Sequence, residues 1–271
     1  MYDLEAQRLP RAERAWICAH DVTLMVNERE RSKLPPGLRE RSAVVRTGVH
    51  LARYARQAHN NGEIPVPREP VVGFVGSMSY APNVRAVDWF GRAVWPLVQT
   101  AVPGARWLIV GREPVRSVRR WSRQPGVTVT GFVEDVCPAL RALRVFVCPV
   151  RDSIGVQTKL IEALAAGRPA VVTPEVAAGL DYDDPPPFLV AGEAAEFAEA
   201  VTRLLCDESQ ARALAKRARA VAEDKYGAAD QLARVERFLQ GERTGSAHTL
   251  ARAALAGAHV PALAPRPVGE V

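Results

Sequence analysis

Several common signatures are missing from this 271-residue chain. No two cysteines are spaced C-x-x-C: Cys18, Cys137, Cys148 and Cys206 lie too far apart for a zinc ligand set. They read as small buried side chains in a reducing cytoplasm. No G-x-x-x-x-G-K-[ST] occurs, which excludes a P-loop. No G-x-G-x-x-G follows a strand, which disfavours a nicotinamide or flavin site. No run of about 18 apolar residues is present, so no spanning helix is expected. Met1-Tyr2-Asp3-Leu4-Glu5 lacks the basic-then-apolar order of a secretory signal. Glycine and proline, 19 and 21 residues, are too few for collagen-like or low-complexity sequence. Lysine is scarce: 4 residues against 32 arginines. With abundant alanine, this bias reads as GC-rich codon usage, so scattered arginines carry little functional weight. The net charge of +6 permits contact with phosphates or an anionic membrane surface without requiring it.

What is present is an α/β pattern. Helices are predicted over Leu4–Cys18 and Glu28–Leu34, with short strands at Val22–Val26 and Ala43–Val45. Two strands and two helices are too few to close a sheet, so residues 1–66 are predicted to need a partner. His59 to Pro70 reads as a linker. Apolar strands then begin at Val71, Trp107, Val127, Val145, Ala170 and Phe188. Helices are predicted between them over Asn83–Thr100 (capped by Asn83), Val115–Arg123, Asp135–Leu143 and Val156–Ala166. Short apolar strands alternating with helices indicate a doubly wound parallel sheet over residues 67–225. Helices over Ala194–Cys206, Glu208–Lys225 and Ala229–Leu239 follow, and the tail from Gly241 reads as disordered.

The densest signal runs from Val145 to Val172: strand, polar glycine loop, helix, glycine stop, strand. Ligands of such sheets sit beyond the carboxyl ends of the strands. A helix starting near Val156 aims its unpaired amides and positive dipole at that crevice, which makes an anion site. Lys159 in the first turn opposes the dipole, a choice that makes sense if an anion sits there. Glu162, at i+3, shares its face and can accept two sugar hydroxyls; a surface Lys–Glu pair is the bland alternative. Gly76 ends the first strand of the sheet, either as a tight turn or to admit a ligand.

Lys159 to Val172, K-L-I-E-A-L-A-A-G-R-P-A-V-V, resembles the nucleotide-sugar signature of the retaining glycosyltransferases of family 4. Their GT-B fold faces two Rossmann-like domains. Gly73-Phe-Val-Gly76, Pro103 to Gly111, Val127 to Asp135 and Lys225-Tyr226 resemble further family segments in the same order. The resemblance covers about residues 20–240. The spellings Ser79-Tyr80-Ala81-Pro82-Asn83 and Gly155-Val156-Gln157-x-Lys159 resemble a bacterial subgroup linked to exopolysaccharide and PEP-CTERM protein-sorting systems.

The resemblance implies roles. Glu162 would bind the ribose hydroxyls. Lys159, with Gly155 and the amides of Val156 and Gln157, would hold the diphosphate. Gly131, Phe132 and Val133 would cradle the base, and Arg112 is a weak second phosphate ligand. The donor is a nucleotide diphosphate sugar, with no further cofactor and no metal. A carbohydrate or lipid-linked acceptor, a cytoplasmic location with peripheral contact to the inner membrane surface, and no nucleic-acid partner are expected.

The sequence also departs from the family. Many members carry a second glutamate eight positions before the one aligned with Glu162, where Ile154 stands here; Asp152 is the nearest acid. The turn spelled N-G-V-D in the family is Thr47-Gly48-Val49-His50. Residues 1–66 match only the last part of a first domain. Its glycine loop and catalytic histidine are not expected in this chain, and residues 226–240 would form the crossover helix. On this reading the chain is the donor-binding half of a truncated enzyme; a non-catalytic nucleotide-sugar-binding module, or a sugar-nucleotide epimerase of similar fold, is the alternative. An isolated 1–66 fragment, with buried-type strands lacking neighbours, is expected to be unfolded and rapidly cleaved in limited proteolysis.

Overall fold

The computed structural model describes residues 2–54, 68–153 and 155–240. Ile154, the linker over 55–67 and the tail from Gly241 lie outside the described residues. Strands β1 (Thr23–Met25) and β2 (Ser42–Val44) pair parallel as a two-stranded sheet, with Thr23 opposite Ser42. The main sheet has six parallel strands: β3 (Val71–Val75), β4 (Arg106–Val110), β5 (Val127–Val129), β6 (Val145–Cys148), β7 (Ala170–Val172) and β8 (Leu189–Val190). Their order is β5-β4-β3-β6-β7-β8. The chain starts at the centre, runs to one edge, then returns past β3 to β6 and on to the other edge. The reversal between β3 and β6 leaves a crevice at the carboxyl ends of these strands.

Burial explains the strand composition. Every residue of β6 and β7 is buried. The helix Ala194–Cys206 packs on both strands, and the helix Thr158–Ala165 packs on β7. Strands covered in this way contain no alternating polar positions.

Three local readings need correction. The predicted helix Asn83–Thr100 is a helix Ala81–Trp89, a π-turn Phe90–Val94 and a helix Trp95–Ala101. Pro96 supplies the reason: it has no N–H to donate, and its ring would clash with the carbonyl four residues back. The widened turn relieves this, and the Trp95 N–H reaches the Phe90 carbonyl. Asn83 is not a cap but the third residue of its helix, and it is buried. Cys137 and Cys148 are buried as expected, whereas Cys18 and Cys206 are exposed.

Arg168 has a structural task that the arginine-rich composition hides. It is fully buried, and its guanidinium donates to the carbonyls of Ala166 (2.9 Å), Leu143 (3.1 Å) and Arg141 (3.4 Å). Two helix ends, after Ala142 and Ala165, thereby receive a cation on their unpaired carbonyls. Burial pulls its pKa down to about 10. No helix among the described residues is long and apolar enough to cross a membrane.

The N-terminal segment docks on the main sheet unit through polar contacts. Arg46 Nε donates to Asp181 Oδ2 (2.9 Å), and the Glu28 amide donates to both Asp181 oxygens (3.1 Å). Asn27 Nδ2 donates to the Gly179 carbonyl (3.1 Å). Val49 and Gly227 form an isolated parallel bridge. A Cβ on Gly48 would fall 2.6 Å from the Ala228 backbone, so this crossing needs glycine. The Arg46–Asp181 pair is 14% and 15% exposed, and removing one partner strands the other in a poorly solvated place. Asp181→Ala is expected to lose roughly 2 kcal/mol in thermal unfolding and to speed proteolysis within residues 20–54.

Candidate functional site

The crevice at β3 and β6 is built on glycine contacts. The Gly76 N–H donates to the Val110 carbonyl (3.0 Å). Gly111 has φ +151, and a Cβ there would fall 1.6 Å from the Gly76 carbonyl. The ends of β3 and β4 therefore meet backbone to backbone, which only glycine allows. A Cβ on Gly76 would lie 2.6 Å from Asn83 Nδ2 and 3.3 Å from Lys159 Nζ. The missing side chain at Gly76 is the space that those two groups use.

The helix Thr158–Ala165 starts two residues later than predicted. Gln157 is its N-cap residue, and the Leu160 N–H closes the first turn on the Gln157 carbonyl (2.9 Å). The first-turn amides without an intrahelical partner belong to Thr158 and Lys159, and Val156 and Gln157 stand in the loop just before them. Val156 packs against the core, and Gln157 Nε2 donates to Ser153 Oγ (2.8 Å). Gly155 has φ +73, and its carbonyl lies 2.3 Å from where a Cβ of Gly179 would be.

Lys159 stands in the first turn of the helix, as predicted, and its ammonium turns back to the β3 end. It donates to Asn83 Oδ1 (2.5 Å) and lies 4.8 Å from the centre of the Phe74 ring. Asn83 is fixed in turn, since its Nδ2 donates to the Ser77 carbonyl (2.9 Å). Both partners of the ammonium are neutral, and among the described residues no carboxylate lies within ion-pair distance of it. Burial holds the Lys159 pKa below the usual lysine value, with Cys148 and Glu162 opposing. Burial pushes the Cys148 thiol up to about 11.

Glu162 is half-buried one turn on. Tyr54, at the end of the short helix Leu51–Tyr54, donates its hydroxyl to Glu162 Oε1 (3.1 Å). Burial raises the Glu162 pKa; the Tyr54 bond, Arg53 and Lys159 oppose the rise. Tyr54 carries no motif of its own, and its partner is 108 residues away, so the sequence reading missed it. Asn83 was noticed only as a cap.

The remaining candidates lie around this centre. Asp152 is exposed and paired with Arg85 on the helix Ala81–Trp89, with Nε at 2.9 Å. Gly131 has φ +72, and its carbonyl accepts from the Gly111 N–H (3.2 Å). Phe132 is 74% exposed beyond β5, and Val133 packs partly into the core. Arg112 is exposed beyond β4, and its carbonyl accepts from Met78 (2.9 Å); no hydrogen bond or ion pair holds its side chain among the described residues. The structure thus joins Gly76, Lys159 and Glu162 with Asn83 and Tyr54. It leaves Phe132 and Arg112 without side-chain links to them.

The six-stranded parallel α/β sheet matches the Rossmann-like domains of GT-B glycosyltransferases. Residues 69–207, just over half of the chain, match the family described as glycosyl transferases group 1, and the chain belongs to that family. A search of curated proteins by sequence found no match. Among solved structures, sucrose-phosphate synthase from Thermosynechococcus elongatus is similar at 20% identity and TM-score 0.63, over 82% of this chain and 58% of that one. HepE of Anabaena, in complex with UDP and glucose, matches at 15% identity and TM-score 0.62, over 81% of this chain and 63% of its own. A point mutant of S. aureus TarM, in complex with fondaparinux, α-GlcNAc-glycerol and UDP, matches at 14% identity and TM-score 0.61, over 85% of this chain and 46% of that one. The chain spans about half to under two thirds of the length of these proteins.

A half-buried ammonium with no carboxylate partner among the described residues costs stability in the ligand-free protein. Lys159→Met keeps the stem and removes the charge. It is expected to raise thermal stability by about 1 kcal/mol, as substitutions that relieve strained functional sites do. The folded Lys159 pKa is lowered, so the unfolded chain binds more protons between that value and 10.5. The gain should be full below the lowered value and vanish as pH rises to 10.5, read by melting curves across pH.

Proposed function

We propose that this crevice binds the diphosphate and ribose of a nucleotide sugar and forms the donor site of a transferase that passes the sugar to a hydroxyl acceptor with retention. One observation carries the reading: a half-buried ammonium with neutral partners stands beside the N-terminus of an eight-residue helix, at the switch point of a parallel sheet. That is where an anion gains most from fixed donors.

The roles follow from chemistry. Departure of the sugar leaves negative charge on the diphosphate. Lys159 and the Thr158 and Lys159 amides are already aimed at it, so little reorganisation accompanies bond breaking. Glu162 accepts hydrogen bonds from the ribose hydroxyls. Gly131, Phe132 and Val133 border the base, with Phe132 free to lie along it. Residues 67–225 form the donor-binding unit, and residues 226–240 cross back to the N-terminal segment. The acceptor is a carbohydrate or a lipid-linked sugar, and the positive net charge suits work beside an anionic membrane face. The membership, the UDP-bound relatives and the exopolysaccharide-like spellings support this reading.

Calorimetric titration with a nucleoside diphosphate and with inorganic diphosphate tests it. Hydrogen bonds to charged groups are worth about 1.5–3 kcal/mol, or roughly ten- to a hundredfold in affinity. Glu162→Ala should weaken the nucleoside diphosphate at least about tenfold and leave inorganic diphosphate within about twofold. Lys159→Ala should weaken both. Equal losses for the two ligands with Glu162→Ala would remove the ribose role from that carboxylate.

A further inference from the structure

We infer that Tyr54 is a positioning residue of the donor site, which holds Glu162 ionised and oriented for the ribose from a helix that packs against its own. The inference rests on the proposed role of Glu162. Its basis is a contact between distant parts of the chain. Tyr54 is 3% exposed, and its hydroxyl donates to Glu162 Oε1 at 3.1 Å. A buried tyrosine hydroxyl needs a polar partner, and this one is the carboxylate assigned to the ligand.

The strap that carries Tyr54 is fixed at two places before it. Upstream, the Val49 N–H donates to the Tyr226 carbonyl (2.8 Å) and the Ala228 N–H to the Val49 carbonyl (3.0 Å). Next to Tyr54, Arg53 donates to Asp135 Oδ1 (2.8 Å), which also accepts the Cys137 amide at the start of the helix Cys137–Ala142 (2.9 Å). The hydroxyl therefore reaches Glu162 from a fixed position.

Donor counting fits a bound ribose. A carboxylate offers about four lone-pair sites. Tyr54 uses one on Oε1, and two ribose hydroxyls use two more. The bond also sets charge. Ribose recognition needs Glu162 as an acceptor, hence ionised, while burial favours the neutral acid. The groups facing the carboxylate are Tyr54 and Arg53 from the strap and Lys159 from its own helix, and all three favour the anion. Tyr54 cannot take the opposite role at neutral pH, since burial and the Glu162 charge raise its own pKa.

The test uses the full 271-residue chain, with UDP, GDP and ADP as nucleotide probes and inorganic diphosphate as control, titrated from about pH 5 to pH 8. Tyr54→Phe keeps the ring and removes the hydroxyl; a melting curve checks its fold. Phosphate titration is common to both proteins and cancels in the comparison. Tyr54→Phe should move the acid limb of nucleotide binding to higher pH. Near pH 6 it should cost about five- to tenfold in nucleotide affinity, and diphosphate binding should stay within about twofold. In a Glu162→Gln background, where no carboxylate titrates, Tyr54→Phe should leave the pH profile unmoved. Equal loss of both ligands, or an unshifted profile in Tyr54→Phe, would overturn the inference. If Glu162→Gln selectively weakens the nucleotides and Tyr54→Phe moves nothing, only the positioning role falls. If no nucleotide outbinds diphosphate and Glu162→Gln changes neither, the ribose reading falls and takes this inference with it.

Discussion

The site depends on one cation with no ion-paired carboxylate among the described residues. An ammonium taken from water needs replacement acceptors, and the described residues provide an amide oxygen and an aromatic face. Other features follow from that. Gly76 has no side chain because the ammonium and its amide partner occupy that volume. Asn83 is buried in a helix, where an unsatisfied amide would be costly, yet both ends of its side chain are bonded. Phe74 is the aromatic position of β3 that lies beneath the charge. A helix N-terminus beside a lysine is unfavourable when empty and favourable around an anion. The arrangement is therefore stable in proportion to what binds there.

The main sheet is legible in the sequence because each strand is a short apolar run between turn residues. The helices Ala194–Cys206 and Glu208–Lys225 match their predicted bounds, since apolar spacing marks both and a capping aspartate starts the second. In the structure the Asp207 carboxylate accepts the Gln210 amide. The helices Pro36–Arg39, Leu51–Tyr54 and Pro174–Ala177 escaped notice, because four residues hold barely one turn and show no period. Within the candidate site the same division applies. Lys159 and Glu162 are three residues apart on one helix, so their shared face can be read directly. The Lys159–Asn83 and Glu162–Tyr54 contacts span 76 and 108 residues, and a single sequence holds no record of such distances.

Arginine shows a further limit of composition. A coding bias explains why the chain has so many, and most lie on the surface as that view expects. Arg168 is different because a planar guanidinium can reach three carbonyls from one buried position. A lysine there would present a single point charge, with no matching fan of donors. Abundance supplied the residue, and geometry gave this copy a structural task.

The Val49–Gly227 bridge has a mechanical consequence. The outgoing and returning chain segments touch at this place, and glycine at 48 lets them lie in backbone contact. Two adjacent crossings act as one pin, and a pin alone would leave rotation about the line through them. The contacts of Asn27, Glu28 and Arg46 with Gly179 and Asp181 supply a second point of attachment, which blocks that rotation. Tyr54 is only five residues from the first pin, on a short lever arm. Its reach to Glu162 is therefore set by the body of the fold.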